Sequence, residues 1–353
     1  MFQSFLKAVS GPDGAIDFLQ DRYIERACEL IRLPAPMTKA LLEGARRIRG
    51  DEAWSEMARQ FHRELFVQQL DRGETNKRLL ATDREPGMLA AVVYLGALPH
   101  TIRYYESRGI PKQILIDTME DMAIWMEHHR RRYGDWGLRE IGWLYRHVTG
   151  GLFRLGRLQF TFMAYNGPFR AFRHRGTGQV AALCDGGVRF RADGQADGTN
   201  GIIDSEGGWT SVYTFDGRVH TGHPVTREGA AARKTVSLSA EEWELALEPG
   251  DTVWDVHIPE GSRMSHELCR QSYDEAVEFA KSYFPEQQVR AFVCTSWLLS
   301  PQFPRLLPPD SNIVRFQRDY YITPVCSDES QTLERVFGFG TKLADLPRLP
   351  RDT

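Results

Sequence analysis

The chain has few of the features that announce a function at first sight. Among its 353 residues there are five cysteines, Cys28, Cys184, Cys269, Cys294 and Cys326. They are odd in number, scattered and without a Cys-x-x-Cys pair, which argues against a disulfide framework and fits reduced thiols in a cytoplasm. No apolar run approaches the length of a membrane span. The opening Met1-Phe-Gln-Ser-Phe-Leu-Lys7 lacks the charged-then-apolar order of a signal peptide. The net charge of −3 at pH 7 is small, which argues against a dedicated nucleic-acid binder. Gly-x-Gly-x-x-Gly, Gly-x-x-x-x-Gly-Lys-Ser/Thr, His-Glu-x-x-His and Gly-x-Ser-x-Gly are all missing. Their absence argues against Rossmann dehydrogenases, P-loop NTPases, zincins and typical α/β-hydrolases. There are no repeats and no low-complexity segment.

What is present falls into two halves. The first reads as helical. A helix is expected from Pro12-Asp-Gly-Ala15, with Ile16, Leu19, Tyr23, Ala27 and Leu30 on one face, broken by Leu33-Pro-Ala-Pro36. Further helices are expected over 37–48, 51–68 and 88–108. A long one follows Pro111, with Leu115, Thr118, Met119, Met122, Trp125 and Met126 as an inward stripe, and a last one spans 139–153. The charge run Glu127-His-His-Arg-Arg-Arg132 reads as a solvated face.

Beyond about residue 150 the composition changes. Alternating and aromatic segments predict strands over 155–163, 170–174, 180–183 and 188–191. Trp209–Phe215, Asp216-Gly217 and Arg218–Gly222 predict a hairpin. Ser239-Ala-Glu-Glu242 has the spacing of a capping box and predicts a short helix. Residues 310–316 predict another helix, and 320–325 and 335–339 two closing strands. The expected fold class is α+β, with an all-helical domain over 1–150, a mixed α/β domain over 151–343 and a loose tail over 344–353.

The second half is organised around Asp251–Leu299. Thr252–Ile258 reads as a strand, Ser262–Gln271 as a polar basic loop, and Ser272-Tyr-Asp-Glu275 as a capping box opening a helix that Pro285 ends. Val289–Leu299 reads as a second strand. Two strands joined by a helical crossover are most simply parallel. A helix start attracts phosphate through its unpaired N–H groups and partial positive charge, and Arg263 and Arg270 add charge beside it. An ordinary crossover with two solvated arginines would carry the same pattern.

Four groups of residues could carry chemistry. Asp255, His257 and Glu260 close the first strand, where open α/β sheets bind ligands, and His257 or Glu260 could serve as a base. Cys294 and Ser296 share a side of the second expected strand; a cysteine there is a nucleophile or, more simply, a small apolar side chain. His220, His223, His257, His266 and Cys269 match no zinc signature, and no metal is expected. Ser311-Asn312 and Tyr320-Tyr321 offer a tyrosine that could protonate a leaving thiolate.

The order of motifs resembles a family of bacterial acyltransferases with a helical N-terminal domain and a GNAT-like (N-acetyltransferase superfamily) C-terminal domain. The residues that carry the likeness are Leu152–Phe160, Gly222-His-Pro224, Val256–Gly261, Ser272, Cys294–Pro301 and Ser311-Asn-Ile313. The resemblance implies an acyltransferase that moves an acyl group from acyl-CoA, as co-substrate, to the amine of a small molecule or peptide. It implies that the strand–loop–helix segment binds the CoA pyrophosphate and that the next strand splays to admit the pantetheine. Val256, Ile258, Arg263, Ser265, Arg270, Ser272 and Asn312 are then the expected cofactor-binding residues, with His257, Glu260, Ser296 and Tyr320 as the catalytic ones. The superfamily's Arg/Gln-x-x-Gly-x-Gly/Ala loop is missing, which leaves a longer acyl-CoA or an acyl carrier protein as alternative donor. Two rival readings remain: a cupin-like metal- or sugar-binding protein, from Pro249-Gly-Asp251, Ile258–Gly261 and His266, and a non-catalytic binding module.

Overall fold

Apolar stripes in the first 150 residues gather helices around one that is apolar on every side. The computed structural model describes residues 2–11, 14–328, 330–338 and 340–348. Its helices in this part are α1 (Phe2–Val9), α2 (Asp21–Leu30), α3 (Ala35–Arg49), α4 (Glu52–His62), α5 (Arg72–Leu80), α6 (Pro86–Leu95), α7 (Leu98–Arg108), α8 (Lys112–Tyr133) and α9 (Ile141–Val148). Every residue of α6 from Gly87 to Leu95 is buried. A helix with no polar face must be wrapped by others, and each fully buried Leu or Val in it contributes roughly 1.5–3 kcal/mol. Polar groups at its margin are satisfied: Tyr94 donates to Asn76 Oδ1 at 2.8 Å, and Tyr23 donates to the Leu95 carbonyl at 2.8 Å. α8 begins directly after Pro111 and ends at Gly134, which takes a left-handed φ of 86°.

The chain divides into two compact units. The first comprises Met1–Thr161, His257–Arg263 and Arg270–Pro285; the second comprises Phe162–Val256, Met264–Cys269 and Glu286–Thr353. In the first unit, β1 (Phe153–Leu155) pairs antiparallel with the start of β2 (Leu158–Ala164), Phe153 facing Phe160. The turn between them needs Gly156, which has a φ of 62° and on which a Cβ would lie 2.8 Å from Ser272 Oγ. Phe153 packs its ring on Phe279 and Phe284, with centroids at 4.7 and 5.3 Å.

The second unit is mostly β. Strands β3 (Phe169–His174), β4 (Val180–Cys184), β5 (Arg189–Phe190), β6 (Trp209–Thr210), β7 (Tyr213–Phe215), β8 (Val219–Gly222), β9 (Pro224–Val225), β10 (Val236–Ser239) and β11 (Trp243–Leu247) form three antiparallel sheets, ordered β11-β3-β4-β9, β10-β8-β7 and β5-β6. The first of these is covered on both faces because side chains alternate along a strand. Phe169, Ala182 and Cys184 enter one apolar cluster with Phe190 and Val225; Phe172 and Leu183 enter another with Leu238. β12 (Thr252–His257) then pairs parallel with β13 (Ala291–Val293), Val253 facing Ala291 and Asp255 facing Val293. Between them in sequence runs α10 (His266–Tyr283), and α11 (Phe303–Leu306), α12 (Asn312–Arg318) and α13 (Ser330–Phe337) follow. The expected α+β class and the parallel crossover are both present.

Several local expectations are corrected. Residues 14–20 are not helical, and the helix carrying Tyr23 starts at Asp21; Pro12 and Asp13 lie outside the described residues. The segment 88–108 is two helices, split at Gly96-Ala97. Ser239 opens no helix: the alternating Trp243, Leu245 and Leu247 form β11 along β3, so strand pairing overrides the cap signal. Trp209-Thr210 leaves the expected hairpin to pair with Arg189-Phe190, while Tyr213–Phe215 and Val219–Gly222 keep it. Residues 320–325 form no strand, and Arg335–Phe337 belong to a helix. Phe339 and residues 349–353 of the tail lie outside the described residues, and Leu343–Arg348 is a 3-10 helix.

Candidate active site

His257 is the last residue of β12 and is half-buried. Its ring lies 4.7 Å from that of Trp143, nearly perpendicular at 77°. Trp143 sits in α9, and its indole N–H donates to Asp121 Oδ2 at 3.0 Å. His147, one turn on, brings Nε2 to the same oxygen at 2.9 Å, and Gln159 of β2 donates to Asp121 Oδ1 at 2.6 Å. Asp121 is 2% exposed and His147 0%. Burial pushes the Asp121 carboxyl pKa up, but hydrogen bonding and charge from His147, with the Trp143 and Gln159 bonds, more than offset it. The pKa stays below the usual carboxylate range, so the group is ionised. This buried constellation was not read from the sequence. The signal was there: Asp121 falls three residues after Thr118 and four before Trp125, on the inward stripe of α8, where an acid demands partners.

The loop after β12 holds the other candidates of the first unit. Glu260 is exposed and its carboxylate is 3.3 Å from Arg131. Arg157 Nε donates to the Ser262 carbonyl at 2.9 Å, pinning the loop to the β1–β2 turn. Ile258 is half-buried, and Arg263 and Arg270 are exposed. Ser272 differs from the expectation. It lies inside α10 rather than at its start, is fully buried, and its Oγ accepts from the Arg157 and Leu158 amides at 2.8 and 3.3 Å. The helix start expected at Ser272 lies six residues earlier.

In the second unit, α10 begins at His266. Ser265 Oγ accepts from the Leu268 amide at 3.2 Å, and His266 Nε2 meets Asp319 Oδ1 at 3.2 Å. Val256 is buried. Cys294 and Ser296 lie beyond the end of β13, so the strand alternation expected to pair them does not apply. Burial and then the Asp255 charge push the Cys294 thiol up to about 12, so it stays protonated and is a poor nucleophile. Ser296 caps the 3-10 turn Trp297–Leu299, accepting from the Leu298 amide at 3.2 Å. Ser311 caps α12, leaving Asn312 in its first turn. Tyr320 is outside any strand, with its ring 5.2 Å from Phe316. Among the described residues there is no group of three or more His, Cys, Asp or Glu arranged to hold a metal, and no helix is long and apolar enough to cross a membrane.

A parallel strand–helix–strand unit with an imidazole at its strand end, following a helical part in sequence, fits an acyl-transfer fold. Residues 152–353 match the family described as GNAT-like C-terminal domain, and residues 22–150 match the N-acyltransferase N-terminal domain. The first match spans more than half of the chain, which therefore belongs to the GNAT-like family and is an acyltransferase of that type. The match displaces the cupin-like reading. Three solved structures are similar over 100% of this chain and 86% of their own. They are an acyltransferase in complex with decanoyl-CoA and teicoplanin (19% identity, TM-score 0.62), an acyltransferase mutant in complex with octanoyl-CoA (18%, 0.61), and an acyltransferase in complex with decanoyl-CoA (21%, 0.57). At such identities the likeness establishes the fold. No curated protein matches the chain in sequence.

Proposed function

We propose that this acyltransferase takes its acyl group from acyl-CoA and passes it to an amine on a small-molecule acceptor, with His257 as the general base. The amine nitrogen attacks the thioester carbonyl, the C–S bond breaks, and CoA leaves as a thiol. His257 takes the ammonium proton. The observation that supports this most is the parallel β12–β13 pair with α10 between its strands in sequence and His257 at its end. Glu260 is the alternative base, weakened by its exposed pairing with Arg131.

The assignment of the CoA diphosphate to the basic stretch 263–270 rests on its sequence, with exposed Arg263 and Arg270 at its two ends. Val256 and Ile258 would offer backbone groups to pantetheine. Ser296, Tyr320 and Asn312 keep the roles read from the sequence, to be tried by substitution: polarising the carbonyl, protonating the thiolate and holding the donor. Ser272 is a weaker candidate for phosphate, because its hydroxyl already serves the β1–β2 turn. The division at about residue 150 into a helical and a transferase domain, and a cytoplasmic setting, belong to the same proposal. The free state of all five cysteines supports the latter.

The solved neighbours hold octanoyl- and decanoyl-CoA, so these thioesters are the donors to try first. Calorimetric titration with CoA, acetyl-CoA and decanoyl-CoA tests the reading. Low-micromolar binding that weakens at least tenfold on combined Arg263→Ala and Arg270→Ala substitution supports it. Unchanged affinity would sink the assigned loop. No binding to any of the three would move the donor to an acyl carrier protein.

A further inference from the structure

We propose that Asp121 and Trp143 are positioning residues for His257: the buried carboxylate pins the indole, and the pinned indole fixes the imidazole. The proposal rests on the reading of His257 as the base, and every residue in it belongs to the first unit. Asp121 is held from three sides. His147 and Trp143 meet Oδ2 at 2.9 and 3.0 Å, and Gln159 meets Oδ1 at 2.6 Å. Donors from α9 and β2 engage both oxygens and so fix the orientation of the carboxylate. The Trp143 indole is therefore anchored at its nitrogen end. Its ring also carries the Arg146 guanidinium at 5.6 Å from the centroid. A ring so held presents a fixed wall to His257, in the edge-to-face geometry that aromatic pairs favour.

A purely structural role does not account well for this arrangement. Burying an ionised carboxylate is costly, and apolar replacements of similar shape are often as stable. What the charge supplies is orientation. A neutral acceptor would hold the indole N–H less tightly, because hydrogen bonds to ionised acceptors are roughly twice as strong as neutral ones. The pattern is the one by which residues behind a reacting group keep it in its working rotamer. Transfer of a proton to His257 needs the ring nitrogen within hydrogen-bond reach of the amine, so loss of the wall should lower turnover and leave donor binding alone.

The test compares Trp143→Phe, which keeps an aromatic wall and removes the N–H, and Asp121→Asn, which keeps the shape and removes the charge. Each is assayed with decanoyl-CoA and an amine acceptor, and by NMR of the His257 imidazole. The expected result is kcat lower by about tenfold, KM for the thioester within twofold and shifted His257 ring signals, with a melting temperature within a few degrees of the parent for Trp143→Phe and clearly lower for Asp121→Asn, whose new NH2 must face a donor. In a His257→Ala background, Trp143→Phe should cost nothing further. Unshifted His257 signals, or a full further loss in the His257→Ala background, would overturn the positioning role. If His257→Ala alone retains full activity, the base assignment fails, and the positioning role falls with it. The NMR signals then show separately whether the mechanical coupling between Trp143 and His257 exists.

Discussion

The Ser272 hydroxyl sits 2.8 Å from the amide of Arg157, 115 positions earlier in the chain, and also accepts from Leu158. It thereby ties the glycine turn between β1 and β2 to α10. Ser272→Ala leaves two buried N–H groups without that acceptor, which should cost about 1–3 kcal/mol. Urea unfolding measures it. Affinity for decanoyl-CoA should stay within twofold of the parent. Unchanged stability with lost affinity would instead return Ser272 to the donor site.

Acid should weaken the helical unit through His62. Its ring stacks on Phe18 with centroids at 4.6 Å, and Nε2 donates to the Gly96 carbonyl at 2.9 Å. Burial pushes its pKa from 6.5 down to about 4, His100 adds to this, and the Gly96 bond opposes it. The folded state thus resists a proton that the unfolded chain accepts. The stability is fully present above pH 6.5 and is lost as pH falls toward about 4, by roughly 3 kcal/mol for this residue. His62→Gln should flatten that part of the stability–pH curve. An identical slope in parent and variant would rule the residue out as its source.

Glu260 and His257 are separable as bases. The Arg131–Glu260 pair is about half exposed on both sides and 3.3 Å apart, so Arg131→Ala should change stability by less than about 1 kcal/mol. Glu260→Gln should keep kcat within threefold, while His257→Ala should lower it about 100-fold, the scale of a lost general base. Steady-state kinetics on the two variants decide it. The reverse ranking would move the base to Glu260.

Much of the fold was legible because single stripes are strong signals. α3 and α8 appear within a few residues of where their apolar spacing put them, and the parallel pair β12–β13 follows from two apolar runs around a helix. Cap signals were weaker evidence. Ser239 and Ser272 both carried Ser-x-x-Glu spacing, yet one lies at the end of a strand and the other inside a helix. Four residues of local pattern yielded to pairing along β3 and to the need of a distant turn. Of the candidate site, the place of His257 at a strand end was legible. Asp121 carried a signal in its place on the inward stripe of α8, but its convergence with Trp143 and His147 depends on how α8 packs beside α9, which no local spacing encodes. Val289–Leu299 looked like one long strand, but pairing ends at Val293, and Ser296 caps a turn instead.

The most direct test is turnover itself: thiol release from decanoyl-CoA in the presence of a panel of amine-bearing small molecules, with the acylated product identified by mass. The account predicts CoA release that depends on the amine, an amide product, and a rate about 100-fold lower in His257→Ala. Tight donor binding with no amide product from any amine, or an undiminished rate in His257→Ala, would contradict it.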